Sequence, residues 1–468
     1  VMQAKLRDVA AWSGGFAGDA AGDTLLTGVS TDTRTIKPGQ LFVPLVGERF
    51  DGHDYLNAAI AAGAAAALWQ RSRPVPADPG VPLILVNDTL DALQTLASSY
   101  LETLGARVVS VTGSNGKTTT KDLVSSVLAV RYNVHKTEGN FNNHIGLPLT
   151  ILRASPDTEV LVLEKGMSGF GEIAKLCSIA QPDVAIVTNI GESHLLQLGT
   201  RNGIARAKLE IAAGLKSGGV LVMNGDEPLL AEELAGISMP EGASVLTFGA
   251  GEGNDWRATD IEVTTEGAAF NAVKDGVAAE YRIPVPGRHN AVNALAAVAA
   301  GRLFGLSAAD IREGLASAKL TGMRIERSTA KNGAVILNDA YNASPTSVRA
   351  AIDLVAGLDG YSRKWIVLGD MLELGGDEAA YHAEIGRYVT AGKAYALWAY
   401  GPLSAHTIEH AGLPSQGEEA TARHYTDKER LASELLSAVG PHDLVLVKAS
   451  RGMKLEQIVT ALQKGAEG

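Results

Sequence analysis

The segment Thr112-Gly113-Ser114-Asn115-Gly116-Lys117-Thr118-Thr119 follows the apolar run Val108-Val109-Ser110-Val111 and leads into helix-like sequence near Thr118–Val130. No other stretch restricts the fold as much. A buried strand, a glycine turn and a helix in that order belong to an α/β unit on a parallel sheet. The chemistry of the turn is equally specific. Gly113 and Gly116 let the backbone close around phosphates with Ser114 and Asn115 between them, and the helix N-terminus offers unpaired N–H groups. Lys117 supplies a point charge for terminal phosphates, and the Thr118 hydroxyl, with Thr119 beside it, can reach Mg²⁺. Val111 stands where the usual first glycine would be, so the loop is a shorter G-x-x-G-K-T form. A plain strand–helix turn with a solvated lysine is the alternative. The strand and helix on either side favour a nucleotide site.

Strand-like and helix-like segments alternate along most of the 468 residues, which at about 150 residues per domain suggests three domains. The first hundred residues hold short strands such as Gly39–Leu45. An Ala-rich helix follows within the longest apolar run, Ala58–Trp69, then a strand at Leu83–Val86 and a helix over Leu90–Leu104 that Gly105 can cap. Further buried strands are predicted at Val160–Leu163, Val184–Thr188 and Val220–Met223, and a packed helix at Ala291–Phe304. A new series begins after Gly322: strands Val335–Leu337, Trp365–Leu368 and Leu444–Val447, with helices Ser347–Leu354 and Leu455–Leu462. The predicted boundaries fall near 104 and 322, giving domains 1–104, 105–322 and 323–468.

Composition narrows the function. Forty-one Lys and Arg against 52 Asp and Glu leave a net charge of −11, which argues against a nucleic-acid binder. The single cysteine, Cys177, excludes a disulfide framework or a cysteine-built zinc site and fits a reducing compartment. The apolar run is too short and too rich in alanine for membrane insertion, and no cationic–apolar leader opens the chain. A cytoplasmic enzyme is expected.

Several polar residues end apolar strands, where open parallel sheets place ligands. Glu164 suits a hard cation, or simply ends its strand. His194 closes Asn189-Ile190-Gly191-Glu192-Ser193-His194; His is an unusual ligand for Mg²⁺, and on the residues alone the satisfied structural histidine is the favoured reading. Lys208, in helix-like sequence, has a solvated lysine as its plain reading. Asn290 begins the alanine-rich helix and either caps it or reaches a ligand. Asp339 and Asn342 are ordinary turn residues that also sit at a strand end. Lys448 and Arg451, between a strand and a helix, can hold a carboxylate or phosphate, or decorate a surface turn.

Taken together these segments resemble the Mur ligase family, ATP-dependent amino-acid-adding ligases of peptidoglycan synthesis. The resemblance rests on Thr112–Thr120, Asn140–Thr150, Asn189–His194, Ala207–Glu210 and Asn338–Pro345, in the family's order, with Ser30–Arg34, Phe42–Leu45 and Asp51–Asp54 in the first third. The Asn-rich segment and Asn338–Pro345 point to the member that adds D-alanyl-D-alanine to UDP-N-acetylmuramoyl-tripeptide. Folylpolyglutamate synthetases resemble the same ATPase core but have no need of the first hundred residues as a uridine-nucleotide module.

The resemblance implies an α/β architecture of three domains: a small N-terminal UDP-binding domain, a central P-loop ATPase domain with a mostly parallel sheet, and a C-terminal Rossmann-like domain. It implies ATP and Mg²⁺ as cofactors, with Thr118, Glu164 and His194 at the metal and Lys208 carbamylated by CO₂ as a further ligand. Lys117, His194 and Lys208 are the implied catalytic residues. Asn290 matches a position meeting adenine, and Arg324 and Asp339 match positions serving phosphate and ribose. Ser30, Arg34, Asn140, Asn142, Asn143, Asn342, Lys448 and Arg451 are the implied substrate-binding residues. A monomer is expected. One departure is Lys165, where the family usually has an apolar residue. Strand alternation turns it away from Glu164, so it is expected to disturb packing rather than metal binding.

Overall fold

The computed structural model describes residues 1–18, 22–415 and 421–465. Among these residues the strands form four sheets of two, four, nine and six strands. The four-stranded sheet runs in chain order through Val29–Ser30, Leu41–Phe42, Ala66–Gln70 and Leu83–Val86, all parallel. The apolar run Ala58–Trp69 is not one helix. Helix Leu56–Ala61 stops, Gly63 turns the chain at φ +104°, and the remainder becomes the buried strand Ala66–Gln70. Alanine periodicity alone does not separate the two outcomes, because a short apolar run fits a buried strand as well as a helix.

Helix Thr89–Leu104 joins this sheet to the next one. Asp88 caps its start by accepting from the N–H groups of Leu90 and Asp91, and Gly105 ends it in the left-handed conformation, as expected. Its apolar face (Leu93, Leu96, Ala97, Tyr100) shares one core with Leu147, Ile151 and Leu152 of helix Gly146–Arg153. The Tyr100 hydroxyl donates to the Ala154 carbonyl at 3.0 Å. The Met2 N–H donates to the Leu152 carbonyl at 2.9 Å.

In the nine-stranded sheet Arg107–Thr112, third from one edge, lies between Val160–Glu164 and Val184–Val187, parallel to both. All three strands are apolar and buried on both faces, as a parallel sheet covered by helices requires. In register, Val111 faces Glu164 and Thr112 faces Val187, so the carboxyl ends converge. Beyond Ser244–Gly249 the sheet continues into Trp256–Thr264, Gly267–Lys274 and Val277–Ile283, the last two pairings antiparallel. These strands escaped the sequence reading because only one face is buried and their apolar runs are broken. Their clearest signal is Asp275-Gly276, both at positive φ, a two-residue hairpin turn between Lys274 and Val277.

The six-stranded sheet orders Glu326–Thr329, Val335–Asp339, Leu444–Lys448, Lys364–Gly369, Ala396–Tyr400 and Ala422–Tyr425, parallel except for the first. Strands far apart in sequence, Val335–Asp339 and Leu444–Lys448, thereby become neighbours, with Asp339 opposite Lys448.

Lys165 lies on the face away from Glu164 and is fully buried. Its ammonium donates to the Ala180 carbonyl at 2.6 Å and approaches the Cys177 sulfur at 3.4 Å, so packing absorbs it. Burial pushes its pKa down.

Helix Lys117–Leu128, which carries the glycine loop at its start, is clasped by Arg288–Leu303 and Ala308–Ala316. Small residues make this possible. A Cβ on Gly314 would stand 2.5 Å from Val127 Cα, and one on Gly301 would stand 2.9 Å from Val127 Cγ1. Gly314→Ala is therefore expected to cost about 1–3 kcal/mol through overpacking. Thermal unfolding checks this, and an unchanged melting temperature would contradict the close approach.

Candidate active site

The loop between Thr112 and Lys117 is shaped by two glycines at positive φ. Gly113 has φ +147°, and a Cβ there would collide with Thr188 Oγ1. Gly116 has φ +78° and occupies the N-cap of the helix. The strand end at Thr188 supports the loop from below. Its hydroxyl donates to the Asn115 carbonyl at 2.6 Å, the Ser114 N–H donates to the Asn189 carbonyl, and the Asn115 N–H donates to Asn189 Oδ1 at 2.8 Å. Lys117 folds back to donate to the Gly113 carbonyl at 2.8 Å, and burial lowers its pKa.

A cavity of about 270 Å³ opens over this loop. The loop residues Ser114 to Thr119 line it from below. Glu164, Asn189, His289 and Asn290 form one wall, and Arg324, Asp339, Tyr341, Asn342 and Lys448 form the opposite one. Ser114 Oγ, Asn115 Nδ2 and Arg324 Nε are buried here without a hydrogen-bond partner. Buried donors left unpaired cost free energy, so their presence around one cavity suits an anionic ligand that would satisfy them. Arg324 is held with its guanidinium 4.2 Å from the centre of the Tyr341 ring. Lys448 donates to Asp339 at 2.6 Å and to the Asn342 carbonyl at 2.9 Å.

Glu164 is the charged group at the strand ends nearest the loop. It accepts from Thr118 Oγ1 at 2.9 Å and from Asn142 Nδ2 at 3.0 Å. Among the described residues no cluster of three or more His, Cys, Asp or Glu forms a ready-made metal cage. The Thr118 and Glu164 oxygens nevertheless fit Mg²⁺, which takes one or two protein oxygens and completes its shell with phosphate and water.

A second cavity of about 290 Å³ adjoins the first through Ser114, Lys117, Asn142 and Asn342. His194 and Lys208 line it, with Asn143, Glu172 and the segment Leu372–Leu374. His194 sits at φ +68° before the short helix Leu195–Leu198. Its pKa is lowered by burial, then by Lys208 and Lys117. Lys208 is buried in helix Arg201–Ala213, not solvated. Burial and the charge of Lys117 drive its pKa well below the usual lysine value, and among the described residues no hydrogen bond holds its ammonium.

Other sequence-predicted residues lie elsewhere. Asn290 does not cap its helix. Gly287 takes the N-cap, and the buried Asn290 amide donates to the Pro286 carbonyl at 2.7 Å. Neither cavity is lined by Ser30, Arg34, Asn140 or Arg451. Ser30 bonds the backbone of Asp32, Arg34 forms an exposed pair with Asp32, and Arg451 pairs with Glu456 at 2.6 Å. The sequence reading missed His289, Tyr341, Glu172 and Glu373. His289 precedes Asn290, and burial holds its pKa down to about 4, so the ring is neutral. The cavity-lining Tyr341 follows Asp339 by two residues, so the strand-end rule reaches it. The sequence carries no comparable signal for Glu172 or Glu373.

Known proteins match this chain along almost its whole length. The Mur ligase middle domain model covers residues 111–301, the Mur ligase glutamate ligase domain model covers 323–451, and the Mur ligase family catalytic domain model covers 25–101. A Bacillus subtilis protein named UDP-N-acetylmuramoyl-tripeptide–D-alanyl-D-alanine ligase is 50% identical over 439 residues, 94% of this chain and 93% of its own length. The chain belongs to the Mur ligase family. Among solved structures, MurF from Acinetobacter baumannii superposes with a TM-score of 0.89 at 30% identity over 99% of both chains. MurF ligase from Thermotoga maritima in complex with ADP does so with a TM-score of 0.81 at 31% identity, over 93% of this chain and 97% of the other.

In this Mur ligase the C-terminal sheet domain is latched to the loops beneath both cavities. Buried Glu192, two residues before His194, accepts from Thr346 Oγ1 at 2.6 Å and pairs with Arg349 at 3.1 Å. Arg349 also pairs with Glu384. Ser344 Oγ donates to Asn115 Oδ1 of the glycine loop at 3.1 Å. Thr346 and Arg349 lie on the first turns of helix Pro345–Gly357, so one helix end touches both the phosphate loop and the His194 loop. Arg349→Ala leaves Glu192 facing the interface without its cation. The radius of gyration with saturating nucleotide is then expected to exceed that of the wild type. Small-angle scattering measures it, and identical values would exclude a latch.

Proposed function

We propose that this Mur ligase is an ATP-dependent, ADP-forming ligase. It joins D-alanyl-D-alanine to UDP-N-acetylmuramoyl-tripeptide in peptidoglycan precursor synthesis, the activity that the name of its 50%-identical relative prints. The observation that carries the reading is the pair of adjoining cavities. One is built on a phosphate loop, and the other holds His194 and buried Lys208.

A peptide carboxylate is a poor electrophile because its leaving group would be oxide. Transfer of the ATP γ-phosphoryl group to that carboxylate makes phosphate the leaving group. The free N–H groups at the start of helix Lys117–Leu128 and the Lys117 ammonium bind the β- and γ-phosphates and neutralise charge that grows between two anions. To do so, Lys117 exchanges its contact with the Gly113 carbonyl for phosphate oxygens. Arg324 and Asp339 serve phosphate and ribose, and Asn290 serves the adenine end. Thr118 and Glu164, with His194 as a further ligand, would hold Mg²⁺, which would supply Lewis-acid stabilisation of the phosphoryl oxygens. The D-alanyl-D-alanine amine then attacks the activated carbonyl, and the tetrahedral intermediate collapses with loss of phosphate. Asn142 and Asn143 on one side, and Asn342 and Lys448 on the other, hold the peptide portion. The N-terminal domain, 1–104, carries the uridine nucleotide through Ser30, Arg34 and their neighbours, the ATPase domain is 105–322, and 323–468 closes over both. Asn140 and Arg451, outside the cavity walls as they stand, reach substrate only if their loops move on binding. The setting is a cytoplasmic monomer. Among the described residues no helix is long and apolar enough to cross a membrane.

Lys208 works as a carbamate. An ammonium there would repel the metal, but a buried lysine with a depressed pKa presents the neutral amine that attacks CO₂. The new C–N bond releases a proton and leaves two oxygens of the kind Mg²⁺ prefers.

Phosphate release measured with ATP, UDP-N-acetylmuramoyl-tripeptide and D-alanyl-D-alanine, omitting each in turn, tests the reaction. Full turnover is expected only when all three are present, and Lys117→Ala is expected to abolish it in a folded protein. ATP hydrolysis independent of both peptide substrates would point instead to a nucleotide-driven switch. For the carbamate, ¹³C-bicarbonate is expected to give a protein-bound carbamate resonance that disappears in Lys208→Ala. A wild-type spectrum without it would sink the idea.

A further inference from the structure

The second substrate brings a charge that the cleft has few groups to meet. At neutral pH an α-amino group of pKa about 7.7–8.0 is largely an ammonium. The cleft it enters already holds the part-buried cation Lys117, and the carbamate proposed on Lys208 is committed to the metal rather than to the amine. Only two carboxylates line the second cavity, Glu172 and Glu373. Glu172 is engaged: its Oε2 accepts the Ser168 N–H at 2.8 Å and fixes the turn before its own helix. Glu373 is not, since among the described residues no hydrogen bond or ion pair occupies its carboxylate.

Glu373 is also held in place by its neighbours. The Met371 N–H donates to His382 Nε2 at 3.0 Å, and the Leu372 N–H donates to Ser450 Oγ at 3.0 Å. Leu374 is buried, and Gly375 packs against Leu196 beside His194. Glu373 itself lies at φ +65°, a conformation that a non-glycine residue adopts at a cost. Its charge is felt at His194 across the cavity. Leu372, Leu374, Met167 and Ala343 supply apolar surface around it, of a size to face methyl side chains.

We propose that Glu373, carried into the cleft by the C-terminal domain, is the subsite that receives the ammonium group of the incoming dipeptide and holds its nitrogen facing the activated carbonyl. The ammonium passes one proton to water before the neutral amine attacks, and the second is lost as the tetrahedral intermediate expels phosphate. This rests on the ligase reading above. Glu373 determines specificity for an N-terminal amine and takes no part in phosphoryl transfer. Because it sits on the closing domain, the amine subsite is complete only when that domain is docked.

The test uses the full chain and Glu373→Gln, which keeps the shape of the side chain and removes its charge. The KM for D-alanyl-D-alanine is expected to rise roughly ten- to a hundredfold, as for loss of a charged hydrogen bond. The KM values for ATP and UDP-N-acetylmuramoyl-tripeptide should stay at wild-type levels, and Glu373→Asp should recover part of the loss. Hydroxylamine, a small nucleophile neutral at pH 8, should trap the activated carboxylate as hydroxamate equally well in both proteins. An unchanged dipeptide KM, a larger effect from Glu172→Gln, or loss of hydroxamate formation in Glu373→Gln would each overturn the assignment. A wild-type protein that forms neither product would instead refute the ligase reading.

Discussion

Close approach of Gly113 to Thr188 is the contact on which the catalytic end depends. With no Cβ in the way, the phosphate loop lies directly on the end of the neighbouring strand and shares hydrogen bonds with Thr188 and Asn189. Two loops from adjacent parallel strands thus become one object. The first presents backbone N–H groups and Lys117, and the second continues to Glu192 and His194. Since Glu192 and Asn115 both reach helix Pro345–Gly357, the C-terminal domain reads the position of this combined object rather than of either loop alone.

Electrostatics in the cleft are unbalanced. Burial and the charge of Lys117 lower the pKa of Lys208, burial and Arg324 lower that of Lys117, and Glu164 is the carboxylate set against both. Burying like charges with so little compensation is unfavourable, and the fold offsets it through the large apolar core beneath. A site of this kind gains most from ligands that bring negative charge, which fits nucleotide and carboxylate substrates. Away from the cleft, buried cations are matched locally: Lys121 by Asp122 and the Thr137 carbonyl, and Lys165 by the Ala180 carbonyl. The shortage of partners is therefore concentrated where substrates meet.

Much of this was legible in the chain. The apolar strands, the glycine loop and Glu164 are local features, because a buried parallel strand must be continuously apolar and a phosphate loop must contain glycine. Lys208 was legible only through family resemblance. Helical periodicity gives it a solvated reading, and only tertiary packing removes the water. The split of Ala58–Trp69 and the antiparallel extension from Trp256 to Ile283 were missed for a related reason: alanine and one-sided strands carry weak periodic signals. Glu373 lies in a loop that reaches the second cavity only because the last domain packs against the His194 segment, and no window of sequence contains that information.

The shared core beneath the first two sheets has a mechanical consequence. Tyr100 and Met2 reach across to the backbone at Ala154 and Leu152, and helix Thr89–Leu104 packs along Gly146–Arg153. The first hundred residues are therefore bolted to the ATPase rather than tethered to it. Thr321, in contrast, is attached through its N–H and hydroxyl to Asp122 on the phosphate-loop helix, immediately before the chain enters the last domain. The chain therefore enters the last domain from a point fixed on the very helix that presents the phosphate loop.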